Sequence, residues 1–123
     1  MLRIAEAHQC AGGSTRVYRF AWRSGSFGGR AGASHRMEGP FVLDDFTLSL
    51  TNRLLGDERP ANLTRELHGS WISFATTGDP AVAGRPEYEP GSRYTMVFDE
   101  KTAVVSDPEG ERRACWDHVP LDG

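Results

Sequence analysis

Thr15-Arg16-Val17-Tyr18-Arg19-Phe20-Ala21-Trp22 is rich in β-branched and aromatic residues and is bounded by Gly12-Gly13 before it and Gly25 after it, the composition of a β-strand. Val17 and Tyr18, then Phe20 and Trp22, place apolar groups on both faces of that strand. A strand apolar on both faces is one covered on two sides, as in a parallel sheet sandwiched by helices. The class expected from this stretch is α/β.

Outward from the strand, the chain alternates helical and extended patterns. Before it, Leu2, Ile4, Ala5, Ala7 and Ala11 followed by Gly12-Gly13 read as the C-terminal part of a helix, with no Ser, Thr, Asp or Asn ahead of residue 2 to cap it. After it, Ser24 to Gly32 is a glycine-rich loop. Leu43, Phe46, Leu50 and Leu54 form a rough helical stripe from Phe41 to Leu55, with Asp44 and Asp45 read as a solvated helix start. The strongest helix is expected from Asn62 to Thr76, where Leu63, Leu67, Trp71 and Phe74 share one face and Gly78 and Pro80 end it. Ala81 to Ser92 reads as surface loop. Tyr94 to Phe98 and Ala103 to Ser106 read as two strands of a hairpin. The polar tail from Asp107 is expected to return to the body through Trp116.

The chain has 123 residues, with 14 Lys and Arg against 17 Asp and Glu, a formal net charge of −3. A length of this order accommodates one small core. Thirteen of the cations are Arg, scattered from Arg3 to Arg113 with no basic stripe, which argues against a nucleic-acid partner. Cys10 and Cys115 form no C-x-x-C pair and are expected to be free thiols. No apolar run approaches the ~18 residues of a membrane span, and no export signal follows Met1, so a cytoplasmic protein without membrane contact is expected.

No phosphate-binding glycine signature is present, and His8, His35, His68 and His118 have neither i,i+4 pairing nor a Cys at ligand spacing. No metal and no cofactor are expected. His8, His68 and His118 fit structural or solvated roles. His35 differs in its place, following a glycine-rich loop after the candidate buried strand and preceding Pro40-Phe41-Val42, which pin the loop exit. Loops set by a rigid sheet are where open α/β folds carry reactive groups.

The string Gly32-Ala33-Ser34-His35-Arg36-Met37-Glu38-Gly39-Pro40-Phe41-Val42-Leu43 resembles the catalytic-histidine segment of the type-B carboxylesterases, the group that includes para-nitrobenzyl esterases and cholinesterases. That segment typically reads G-A-x-H-G-x-E-x-P-F-V-F. Trp71-Ile72-Ser73-Phe74-Ala75-Thr76-Thr77-Gly78-Asp79-Pro80 resembles the family's W-x-x-F-A-x-T-G-D-P, and Val17 to Trp22 resembles its preceding strand. Order and spacing match in all three blocks, and also in the later Tyr88-x-Pro90 and Met96-Val97-Phe98, so the likeness covers almost the whole chain.

The resemblance implies the C-terminal portion of an α/β-hydrolase fold over residues 1–123, with His35 as the catalytic histidine of a Ser-Glu/Asp-His triad and Glu38 supporting the His35 loop. It implies a small-molecule carboxylic ester as substrate. Arg36, Gly39 and Leu43-Asp44 depart from the family's usual residues, and Arg36 bears most directly on how the imidazole is placed. A G-x-S-x-G elbow is missing; Gly25-Ser26-Phe27-Gly28 falls one residue short and on the wrong side of the strand. The expectation is a piece of a longer esterase, without specific turnover by itself and prone to self-association through uncovered sheet surface. The alternative is a non-catalytic remnant that serves as a binding or interaction module.

Overall fold

The computed structural model describes residues 2–47, 49–80 and 86–120. Five helices and three strands occur among them, in the order α1 (Leu2–Cys10), β1 (Tyr18–Phe20), α2 (Gly39–Leu43), α3 (Ser49–Leu55), α4 (Ala61–Thr77), β2 (Tyr94–Phe98), β3 (Ala103–Ser106) and α5 (Gly110–Ala114). The sheet order is β1-β2-β3. β1 and β2 run parallel in the register Tyr18↔Met96 to Phe20↔Phe98, and α2, α3 and α4 lie in the crossover between them, as a parallel pair requires. β2 and β3 are the expected antiparallel hairpin, from Tyr94↔Ser106 to Val97↔Ala103.

The strand quoted at the outset is shorter than its composition suggests, three residues rather than eight, and it is covered on one face only: Tyr18 and Phe20 share the packed face, while Arg19 on the other is exposed and pairs with Glu109, so the expected two-sided apolar cover is not met within β1. Phe20 stands against Trp22 and Phe41, with ring centroids 6.4 and 5.4 Å away, while Tyr18 meets Trp71 and Phe98 edge-on. Trp22, Met37, Phe41, Leu55, Leu63, Leu67, Met96 and Phe98 make one core between the sheet and the helices.

The stretch from Phe41 to Leu55 is two helices, not one. Asp44 is left-handed at φ 50°, and the Asp45 N–H closes back on the Pro40 carbonyl at 3.0 Å, which terminates α2. Asp45 then accepts from the Thr47 N–H at 2.9 Å, a local bond that competes with helix continuation; the Thr47 side chain first, and this N–H second, hold its carboxyl below the usual carboxylate range. The two aspartates therefore end a helix; they do not start one. α3 ends at Gly56, whose φ of 72° favours glycine and where a Cβ would stand 2.6 Å from Ser26 Oγ.

α4 begins after Pro60 and stops at Gly78, left-handed at φ 77°, where glycine was expected to stop it. Its apolar stripe is covered at one end only: Leu63 and Leu67 are fully buried, whereas Trp71 is 40% and Phe74 47% exposed. Part of the expected surface loop, residues 81–85, lies outside the described residues.

Trp116 does not anchor the tail, since its side chain is 66% exposed. The tail is fastened through its backbone, with the Arg3 guanidinium donating to the carbonyls of Trp116 and Val119. α1 is tied in turn to the sheet end, where Glu6 accepts from Arg93 and from the buried Tyr88 hydroxyl; burial, with the Glu6 charge behind it, pushes that phenol up. Cys10 and Cys115 are free and exposed, as expected.

Candidate functional site

The glycine-rich loop after β1 is closed at its base by a bridge between Ser24 and Gly32. Ser24 is buried and makes three contacts: its hydroxyl lies 2.6 Å from the Leu54 carbonyl and 3.1 Å from that of Leu55, and it accepts from the Ser26 N–H at 3.0 Å. A nine-residue span that glycine would leave free to wander is thus fastened to the end of α3.

From that base the chain enters a tight turn. The Met37 N–H donates to the Ser34 carbonyl at 3.2 Å, and of the two central residues only Arg36 has positive φ, 73°. Positive φ at the third position alone is the pattern of a type II turn, which favours Gly or Asn there. This accounts physically for the small residue usual in the resembled segment and makes Arg36 a strained occupant. Met37, wholly buried, anchors the turn and receives the Ser34 N–H and hydroxyl on its sulfur at 3.3 and 3.0 Å. His35 occupies the other central position. Its side chain is exposed, and no hydrogen bond reaches its imidazole among the described residues.

Glu38 follows directly, half-buried, and its carboxylate accepts a long contact of 3.5 Å from the Tyr18 hydroxyl on β1. Its carbonyl accepts from the Val42 N–H at 3.0 Å, so the same residue opens α2. Pro40 and Phe41 are buried immediately beyond. His35 is therefore presented on a two-residue projection seated in the core at its Met37 end, with exposed Ser34 tied back to the Met37 sulfur. His35 and Glu38 are near in sequence but share no hydrogen bond among the described residues.

The other histidines fall where a structural reading places them, with partners that spacing alone does not disclose. His8 Nδ1 is 2.7 Å from Thr15 Oγ1, and His68 Nδ1 is 2.8 Å from the Val42 carbonyl. Among the described residues no three His, Cys, Asp or Glu side chains converge on a metal position, and no helix is long and apolar enough to cross a membrane.

His35 lines neither of two depressions on the surface. A cleft of about 990 Å³ lies between α1 and α5. Its arginines are engaged, Arg93 with Glu6 at 3.2 Å and Arg113 with Asp107 and Asp117 at 3.0 Å each. A slot of about 110 Å³ beside Tyr18 is walled by Trp71, Phe74 and Phe98.

No family model matches the chain. It is 31% identical over 101 residues to the para-nitrobenzyl esterase of Bacillus subtilis, a match covering 79% of this chain and 20% of the esterase. Among solved structures it is similar to a carboxylesterase of Geobacillus stearothermophilus, with a TM-score of 0.77 and 31% identity over 94% of this chain and 24% of the other. A thermophilic PNB esterase gives a TM-score of 0.73 and 29% identity, over 89% of this chain and 23% of its own. The chain thus spans about a fifth of the length of the curated relative it matches.

Proposed function

We propose, from the premise that this chain resembles the type-B carboxylesterases in sequence and carries part of their α/β-hydrolase fold, that it supplies the catalytic histidine to a serine carboxylesterase. The observation that carries the reading is the presentation of His35: exposed on a type II turn, with buried Met37 and Phe41 fixing the turn from behind. In the reaction, a serine from outside these 123 residues attacks the ester carbonyl while His35 takes its proton as general base. His35 then returns that proton to the departing alcohol, and water opens the acyl-enzyme with His35 again as base. A carboxylate, also from elsewhere, orients the imidazole, and Glu38, through Tyr18, keeps the turn exit in place. Neither a cofactor nor a metal has a step in this scheme, and a cytoplasmic location belongs to the same reading.

Loss of the serine alone from a measured hydrolase costs roughly 10⁶ in kcat, so the chain by itself is expected to show no specific turnover. The test is hydrolysis of a p-nitrophenyl ester by the chain alone and by the chain combined with an esterase portion carrying the serine elbow. The expected outcome is activity only in the combination, abolished by His35→Ala. A folded combination that stays inactive, or activity that survives His35→Ala, overturns the proposal.

The half-exposed Trp71 and Phe74 favour a second reading, a non-catalytic module that binds a partner through this face of α4. A combination that assembles as tightly with His35→Ala but never hydrolyses ester supports that reading over the first.

A further inference from the structure

β3 is an edge strand with a defined and unused row of backbone groups. Two bonds fix which of its residues face β2. Asp107 N–H donates to the Arg93 carbonyl at 3.2 Å, and Met96 N–H is turned away from β3, toward the Val17 carbonyl at 3.0 Å. Antiparallel pairs alternate between hydrogen-bonded and non-bonded. In the register Tyr94↔Ser106, Thr95↔Val105, Met96↔Val104 and Val97↔Ala103, the bonded pairs are therefore Thr95↔Val105 and Val97↔Ala103. The N–H and C=O of Val104 and Ser106, and of Thr102 by the same alternation, point away from the sheet.

Natural edges are usually blunted by a charged residue or a proline within the strand. Ala103-Val104-Val105-Ser106 has neither, and all four residues are exposed. We infer that this edge pairs with the β3 edge of a second copy of the chain, antiparallel, about a two-fold axis through Val104.

The register follows from the alternation. Centred on Val104, the pairing sets Val104 against Val104 of the second copy and Thr102 against its Ser106, in both directions. These are the outward-facing residues, and each such pair exchanges two N–H···O bonds. Ala103 then meets Val105 side chain to side chain, an apolar contact of the kind that stabilises adjacent strands. One step further out the strand gives way at Asp107, left-handed at φ 43° and bonded to Arg113, and there Lys101 comes alongside the Asp107–Arg113 pair on both sides of the axis. Lys101 is exposed. The Arg113 guanidinium beside Asp107 holds its carboxyl below the usual carboxylate range, so the aspartate is anionic at neutral pH. A self-pairing edge thus brings the chain's one lysine to a carboxylate twice, which a pairing shifted by one residue does not. An isologous contact of this kind closes on itself and yields a dimer with one continuous sheet, not a filament.

Sedimentation velocity on the full chain in reducing buffer, over a range of concentrations, tests this. The expected result is a weak, reversible monomer–dimer equilibrium. Val104→Pro removes a donor that faces only the open edge, where proline is tolerated, so the variant is expected to keep its far-ultraviolet circular dichroism and become monomeric. Lys101→Glu, outside the ladder and exposed, is expected to weaken the dimer on the order of tenfold, whether or not the proline variant folds. A wild-type chain that stays monomeric at millimolar concentration overturns the inference. So does a dimer that resists both substitutions, or one abolished by Trp71→Glu, which places the contact on α4.

Discussion

The His68 imidazole on α4 donates through Nδ1 to the Val42 carbonyl on α2, at 2.8 Å. α2 is only five residues long and follows the His35 turn directly, so it has little helical stability of its own and depends on packing against α4. The bond requires the Nδ1–H tautomer and joins the helix that leaves the His35 turn to the strongest helix of the fold. His68→Phe keeps ring volume and removes the donor. It is expected to cost about 1–2 kcal/mol, read by denaturant titration, because the half-buried Val42 carbonyl loses its partner.

Arg36 at φ 73° holds a conformation that costs a side-chain-bearing residue roughly 1–2 kcal/mol. Arg36→Gly relieves this strain while adding some freedom to the unfolded chain, so a net gain of about 0.5–1 kcal/mol is expected. Thermal denaturation checks it. A lowered midpoint would mean that the guanidinium contributes more than the turn geometry costs.

Ser24 is 1% exposed and ties the glycine-rich loop to the end of α3 through the Leu54 and Leu55 carbonyls. Ser24→Ala leaves those carbonyls and the Ser26 N–H without this partner. A loss of about 1–3 kcal/mol is expected, together with faster amide exchange from Gly25 to Gly32. Unchanged exchange there would show that the loop is held by other means.

His35→Ala is expected to leave stability within about 0.5 kcal/mol of the parent, as an exposed residue whose imidazole has no hydrogen-bond partner among the described residues should. Phe41→Ala, by contrast, empties a site that is 0% exposed and ringed by Phe20, Trp22 and Phe46, and is expected to cost about 3–5 kcal/mol. Urea unfolding of both variants separates a chemical role at position 35 from a scaffolding role at position 41.

Asp107 gives the fold an acid-side dependence. Its carboxyl lies below the ordinary value chiefly through the hydrogen bonds from Arg113, so its contribution is complete above the unfolded value of about 4 and is lost as pH falls through the lower folded value. Asp107→Asn is expected to flatten the pH dependence of the melting temperature below about pH 4 and leave it unchanged in shape above that.

The apolar pattern of residues 15–22 was enough to read an α/β fold, because alternate faces of a strand and the 3.6-residue period of a helix are local properties of the chain. The same holds for the hairpin at 94–106 and for α4 ending at Gly78. The break at Asp44 to Thr47 was less legible: the stripe through Leu43, Phe46, Leu50 and Leu54 fits one helix as well as two, and the choice is made by a left-handed residue and one Asp45 bond. His35 could be singled out as a candidate from its segment, but the contacts that hold its turn could not. Tyr18 reaching Glu38, Met37 seating the turn and His68 holding Val42 join residues distant in the chain or depend on which way a turn opens. Local chemistry sets which elements form. Which side chains meet, and which edge of the sheet is left open, is decided only when those elements pack against one another.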